Sequence, residues 1–239
     1  MTAVSSDVRG RVAAVRARIE AACARAGRDP ADVMLVAVSK TFGLDAVEAA
    51  LEAGITDFGE NRAQELVPKA EGATSIGLRP RWHFIGHLQR NKARDVVPHI
   101  VALHSLDSAR LVAAVSQEVA AHQTNSHGAG ADAAGSLRCY LEVNVAGEAS
   151  KEGVPPEALP GLLDTARAAR GIEVAGLMTV APLAASAEDA RPTFRALREL
   201  ARAHGLDGLS MGMTNDFEVA IEEGATVVRV GRAIFGERD

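Results

Sequence analysis

The stretch AVSKTFGLDAVEAALEAG, Ala37 to Gly54, joins a strand to a helix through a lysine. The apolar run VMLVAV (33–38) reads as a buried strand, and it stops abruptly at Ser39-Lys40. Beyond it Leu44, Val47 and Leu51 recur at three- and four-residue steps, the period of one helix face, and Gly54 stands where a helix ends. A buried strand, a cation at its carboxyl end and a covering helix make one β-α unit.

That unit recurs. Further strand-like runs are ITDFG (55–59), WHFIG (82–86), VALHS (101–105), LRCYLEVNV (137–145), VAGLMTV (174–180), LSMGM (209–213) and TVVRVG (226–231), with helical patterns between them. EAGITDFG and EEGATVVRVG echo one another, each closing a helix with Gly and reopening a strand through Thr. Eight such units in 239 residues point to an α/β fold, a single (β/α)8 barrel of the TIM type, with a doubly wound open sheet as the alternative. An extra N-terminal helix precedes them, capped by Ser5, Ser6 or Asp7 and apolar at Val8, Val12, Val15 and Ile19. No Pro/Gly/Ser linker divides the chain, so residues 1–239 read as one domain. The polar, glycine-bearing segment 121–136 reads as a mobile insertion before the fifth strand.

Composition narrows the function. Apolar residues make up 47% of the chain and aromatics 3%, so Ala, Val and Leu fill the core, as in helix-covered parallel sheets. A net charge of −5 argues against nucleic acid as partner. The basic segment GLRPRWHFIGHLQRNKAR lacks an aromatic platform and reads as a solvated face. Cys23 and Cys139 lie far apart without CxxC spacing, as in a reduced, cytoplasmic protein. No window approaches the roughly 20 apolar residues of a membrane span.

The unusual residues gather at strand carboxyl ends: Lys40, Asn61, His83 and His87, His104, Asn144, Thr179, Ser210 to Thr214, and Arg229 to Arg232. Barrels of this type build their sites on that rim. A lysine held at a barrel mouth loses its proton readily and can attack an aldehyde to form a Schiff base. Opposite it, SMGMTND offers a glycine, Thr214 and Asn215 as helix caps, and Glu218 in capping-box spacing from Asn215. In GRAIFGE, Gly231 exposes amides at the start of a last helical turn. Such amides after the seventh and eighth strands form an anion site. A lysine facing a phosphate cradle fits an aldehyde that carries a phosphate, and pyridoxal 5′-phosphate has both.

Other chemistries lack an anchor. His83 and His87 lie about 13 Å apart if extended, too far to share one metal ion. The chain has no HExxH, no GxxxxGK[ST] and no GxGxxG after a strand.

The ordered set LVAVSKTF, FGENRAQEL, WHFIGHLQRNK, LHSLDS, VNVAGEASKEGV, GLMTVAP, LSMGMTNDFEVAI and VRVGRAIFGER resembles the YggS/PROSC family of pyridoxal-phosphate homeostasis proteins, from about residue 7 to the C-terminus. The resemblance implies the fold-type III barrel of alanine racemase and a monomer that binds the cofactor without an established reaction. It implies Lys40 as the Schiff-base lysine. Ser210, Thr214 and the backbone of Gly231 and Arg232 would hold the phosphate, and Arg229 would face the pyridine nitrogen. Asn61 and Met213 would border the ring, His83 would line the same mouth, and Lys151 would take part in handover to apo-enzymes. Thr214 and Arg232 depart from the family pattern, which favours serine at the first and a hydroxyl residue at the second.

Racemisation through this cofactor needs acid/base groups on both faces of the substrate carbanion. The only tyrosine, Tyr140, falls near the start of a strand, away from the rim, so the second base is missing. The reading is a cytoplasmic protein of pyridoxal-phosphate homeostasis that is not an enzyme; the alternative is an amino-acid racemase or related carbanion enzyme.

Overall fold

The computed structural model describes residues 3–125, 135–148, 151–182 and 185–237. β1 (Met34–Val38), β2 (Asp57–Glu60), β3 (Arg81–Phe84), β4 (Ile100–Leu106), β5 (Leu137–Glu142), β6 (Ile172–Met178), β7 (Gly208–Ser210) and β8 (Val227–Val230) pair in parallel in chain order. β8 returns to pair with β1, Val36 standing opposite Arg229. The sheet is therefore a closed barrel, and the open-sheet alternative is excluded.

Strand alternation sorts the side chains. Val36, Tyr140, Met178 and Val227 point inward and pack together. Their outward neighbours Ala37, Phe58, Leu103, Cys139, Leu177 and Val228 join the larger core beneath the helices. Those helices are α1 (Ala3–Ala26), α2 (Leu44–Glu52), α3 (Ala63–Ser75), α4 (Ala93–Val96), α5 (Ala109–Asn125), α6 (Leu159–Ala168), α7 (Arg191–Ala203), α8 (Phe217–Glu222) and α9 (Arg232–Phe235). α4 is one turn between two 3-10 turns; Pro98, in the second of these, has no N–H to extend a helix.

Several local expectations shift. The strand tail expected at 143–145 is lost because the chain folds back on itself: Val154 N–H donates to Glu142 O, and Asn144 N–H to Val154 O. α1 begins at Ala3, ahead of its expected caps, and Asp7 instead pairs with Arg11 at 2.8 Å. Its Val8, Val12, Val15 and Ile19 are buried, and it packs on α8, α2 and α9. Residues 121–125 of the expected insertion belong to α5, whereas 126–134 lie outside the described residues. Cys23 and Cys139 are free and buried. Arg79, Arg81, Arg90 and Arg94 are exposed. No described helix is long and apolar enough to cross a membrane.

Candidate functional site

A cleft of about 750 Å³ opens at the carboxyl ends of β1, β7 and β8, within the size range of small-molecule sites. Lys40, Lys151, Met213, Thr214, Arg229, Gly231 and Arg232 stand on its wall.

The peptide that carries Lys40 is pinned on both sides. Ser39 N–H donates to Gly59 O, and Ser39 Oγ to Glu60 Oε1 at 2.7 Å. Lys69 Nζ donates to Ser39 O at 2.9 Å. On the far side Thr41 takes a left-handed φ of 70°, and its N–H donates to Glu65 Oε2 at 2.8 Å. β1, β2 and α3 thus fix the base of the lysine.

The opposite wall is built by two turns. At the β7 turn Gly212 has φ +92°, and a Cβ there would fall 2.5 Å from Ala220 Cβ. The expected capping box is not formed. Asp216 accepts from Met213 N–H at 2.6 Å, while Asn215 Oδ1 accepts from Arg232 Nη2 at 3.0 Å and Glu218 pairs with Arg18. Asp216 closes the turn, and the Asn215 side chain is engaged by Arg232 instead. At the β8 turn Gly231 lies so close to β1 that a Cβ would come within 3.2 Å of Val38 O. The first helical bonds of α9 are donated by Ile234 and Phe235, so the amides of Arg232 and Ala233 precede the ladder.

Arg229 is 4% exposed. Its guanidinium donates to Ser210 Oγ at 2.6 Å and to Thr179 O at 3.0 Å, both neutral oxygens. Burial lowers its pKa to about 10, opposed by Glu142 and Asp216, and it stays charged at neutral pH. A buried cation on a cleft wall, bonded to neutral acceptors, retains donors for an anion or a ring nitrogen.

Three expected residues stand elsewhere. Ser210 is fully buried beside Arg229 and is not on the cleft wall. His83 is 3% exposed inside the barrel, with both ring nitrogens engaged by Asp57 and His104. Its strand position turns it inward below the mouth. Asn61 lines an adjacent hollow with Gln64, Gln89 and Lys92. Its backbone packs on Gly86, where a Cβ would fall 2.3 Å from Asn61 O. His87 is exposed at the rim, its Nδ1 3.2 Å from Asp107 and 3.7 Å from Glu152.

Arg18 and Asp216 also line the cleft and went unread in the sequence. Arg18 comes from α1, its guanidinium 4.4 Å from the Phe217 ring centroid, and one basic residue among several on a helix gives no signal.

The family described as alanine racemase, N-terminal domain, matches residues 11–239. A pyridoxal phosphate homeostasis protein of Pseudomonas aeruginosa is 42% identical over 236 residues, covering 98% of this chain and 97% of its own. The chain belongs to the pyridoxal phosphate homeostasis protein family. A second member of that family, from Aquifex aeolicus, is 40% identical over 95% of this chain and 97% of its own. Among solved structures, PipY of Synechococcus elongatus, determined with pyridoxal phosphate bound, superposes with a TM-score of 0.79 at 31% identity, covering 96% of this chain and all of that one. The barrel is thus shared with PipY, a chain of nearly equal length.

Proposed function

We propose that the cleft holds pyridoxal 5′-phosphate covalently on Lys40, and that the protein stores the cofactor and delivers it to apo-enzymes within the cytoplasm. One observation carries this reading: Lys40, the buried Arg229 guanidinium and the Gly231 turn line one cleft. Bound pyridoxal phosphate supplies an aldehyde that condenses with a primary amine, releasing water, and a ring that withdraws electrons. Lys40 and Lys151 both line the cleft, and Lys40 is the one whose peptide is pinned on both sides. Thr214 and the amides of Gly231 and Arg232 would receive the phosphate, Met213 would border the ring, and Arg229 would donate to its nitrogen. The Arg232 side chain is held by Asn215, so its backbone remains the contact for phosphate.

The residues favour storage over turnover. A donor that stays protonated leaves the ring nitrogen without a proton of its own, which weakens electron withdrawal. Tyr140, the only tyrosine, packs inside the barrel and does not line the cleft.

The test is the visible absorption spectrum of the protein with added pyridoxal phosphate, beside Lys40→Ala. A band present in the wild type and lost in the variant is expected, with borohydride fixing the cofactor to the Lys40 peptide. Identical spectra would reject Lys40 as the anchor. Exchange of amino-acid Cα protons with deuterated solvent, dependent on Lys40, would replace the storage role by a carbanion enzyme.

A further inference from the structure

Five side chains from β2, β3, β4, β7 and β8 form an unbroken hydrogen-bonded chain through the barrel interior. Asp57 Oδ1 lies 2.9 Å from His83 Nε2, and His83 Nδ1 lies 2.9 Å from His104 Nε2. His104 Nδ1 lies 2.8 Å from Ser210 Oγ, which also accepts from Arg229 at 2.6 Å. His104 and Ser210 are fully buried, and Tyr140 stacks on the His104 ring at 4.6 Å between centroids.

The two ends of the chain set its direction. A guanidinium can only donate and a carboxylate can only accept. Burial alone would raise the Asp57 pKa, but hydrogen bonds from His83 and Thr56 hold it below the usual range, so this end is ionised. Burial, with the charges of His83, Arg229 and Arg138, pushes His104 well below its ordinary value, so its ring is neutral and offers one donor and one acceptor. If His83 Nε2 donates to Asp57 and its Nδ1 accepts, His104 Nε2 donates to it and His104 Nδ1 accepts from the Ser210 hydroxyl. Every link is then satisfied. The reverse order, with a doubly protonated His83, makes Ser210 accept from both His104 and Arg229. It leaves the Ser210 proton without an acceptor among the described residues in a fully buried site, an arrangement that costs free energy.

We infer that Ser210 and His104 are positioning residues for Arg229: the Ser210 hydroxyl is spent on His104, its oxygen on Arg229, and it does not bind the cofactor's phosphate. The inference rests on the reading of the cleft as a pyridoxal phosphate site. Its content is that the network aims the guanidinium at the ring and leaves the phosphate to Thr214 and the Gly231 turn. It reassigns a serine that the family resemblance places on the phosphate.

Titration with two probes, pyridoxal 5′-phosphate and phosphate-free pyridoxal, separates the roles. The ratio of their affinities measures what the phosphate contributes, and the spectrum of the bound ring reports on its nitrogen. Ser210→Ala and His104→Phe are each expected to weaken both probes by a similar factor, about tenfold for a charge-assisted bond. They should shift the bound spectrum alike, and the double variant should lose little more than either single one. Thr214→Ala should lower the phosphate preference instead. A Ser210→Ala loss confined to the phosphorylated probe, or a His104→Phe protein that binds and absorbs like wild type, would overturn the inference. Asp57→Leu, which is near in size and removes the acceptor at the end of the chain, reads the same network if His104→Phe does not fold; an unchanged spectrum there also overturns it. A wild-type protein that binds neither probe refutes the cofactor reading itself, a separate outcome visible in the first titration.

Discussion

Lys69, on α3, donates both to the Ser39 carbonyl at 2.9 Å and to the buried Glu60 carboxylate, so the peptide carrying Lys40 is fastened to a helix outside the barrel. Glu60 is fully buried and its second oxygen has no hydrogen-bond partner among the described residues. The placement of the peptide that carries Lys40 therefore depends on a largely buried ion pair.

Removing Lys69 strands that carboxylate. Lys69→Met is expected to cost about 3–5 kcal/mol, lowering Tm by about 10 °C. Burial already raises the Glu60 pKa against the pull of Lys69 and Ser39, and losing the ammonium raises it further. An acid whose folded pKa lies above its unfolded value is most stable protonated, so stability is present below the unfolded value and lost as pH rises through the folded one. The variant's deficit should shrink between pH 8 and pH 5 in thermal melts; a deficit independent of pH would place the cost elsewhere than on Glu60.

Lys151 is on the cleft wall at the end of a loop tied down by Asn144, whose Nδ2 donates to Glu148 O at 2.8 Å and Lys151 O at 3.3 Å. A partly exposed lysine at a mouth adds little to folding. Lys151→Ala should hold stability within about 0.5 kcal/mol while slowing cofactor transfer to an apo-enzyme toward the rate of unassisted release. Stopped-flow transfer assays compare the two rates, and an unchanged transfer rate would remove Lys151 from handover.

Gly212 has a backbone conformation that L side chains rarely adopt, and a Cβ there would also lie 2.9 Å from Phe217 Cα. Gly212→Ala is expected to cost at least about 3 kcal/mol and to displace the β7 turn, weakening cofactor binding with it. Gly161 in α6 has nothing within 4 Å of its would-be Cβ. Gly161→Ala should stabilise by about 0.5–1 kcal/mol and leave binding untouched. Paired denaturation curves test both, and equal effects would contradict the packing at the β7 turn.

The legible part of this fold follows from periodicity. Apolar runs such as VMLVAV and the glycines at 54 and 224 mark strands and helix ends through local chemistry, and all eight strands stand close to where those marks fall. Closure was not local: Val36 meets Arg229 only because the last strand returns to the first. The same distinction divides the site. Lys40 and Gly231 announce themselves by type at a strand end. Whether Ser210 or His83 faces the cleft or lies beneath it depends on inward rotation within the barrel, which a one-dimensional pattern does not encode. Asp57 was missed for that reason, as a lone acid in a strand gains its meaning only from the His83 ring 2.9 Å away.

Tyr140 decides between storage and turnover. As a carbanion base it would need its hydroxyl beside the substrate carbon, whereas its ring packs with Val36, Met178 and Val227 and stacks on His104 at an interplanar angle of 22°. Burial raises its pKa further, opposite to what a base working at neutral pH requires. Tyr140→Phe keeps the ring and removes only the hydroxyl. It should leave the cofactor spectrum, the transfer rate and any slow exchange of amino-acid Cα protons at wild-type values, while Tyr140→Ala should lose about 3–5 kcal/mol of stability and loosen His104. Deuterium exchange followed by NMR is the direct measurement. A Tyr140→Phe protein that loses exchange detectable in the wild type would make the hydroxyl a base and the protein an enzyme; unchanged exchange leaves Tyr140 as a packing residue under the Arg229 network.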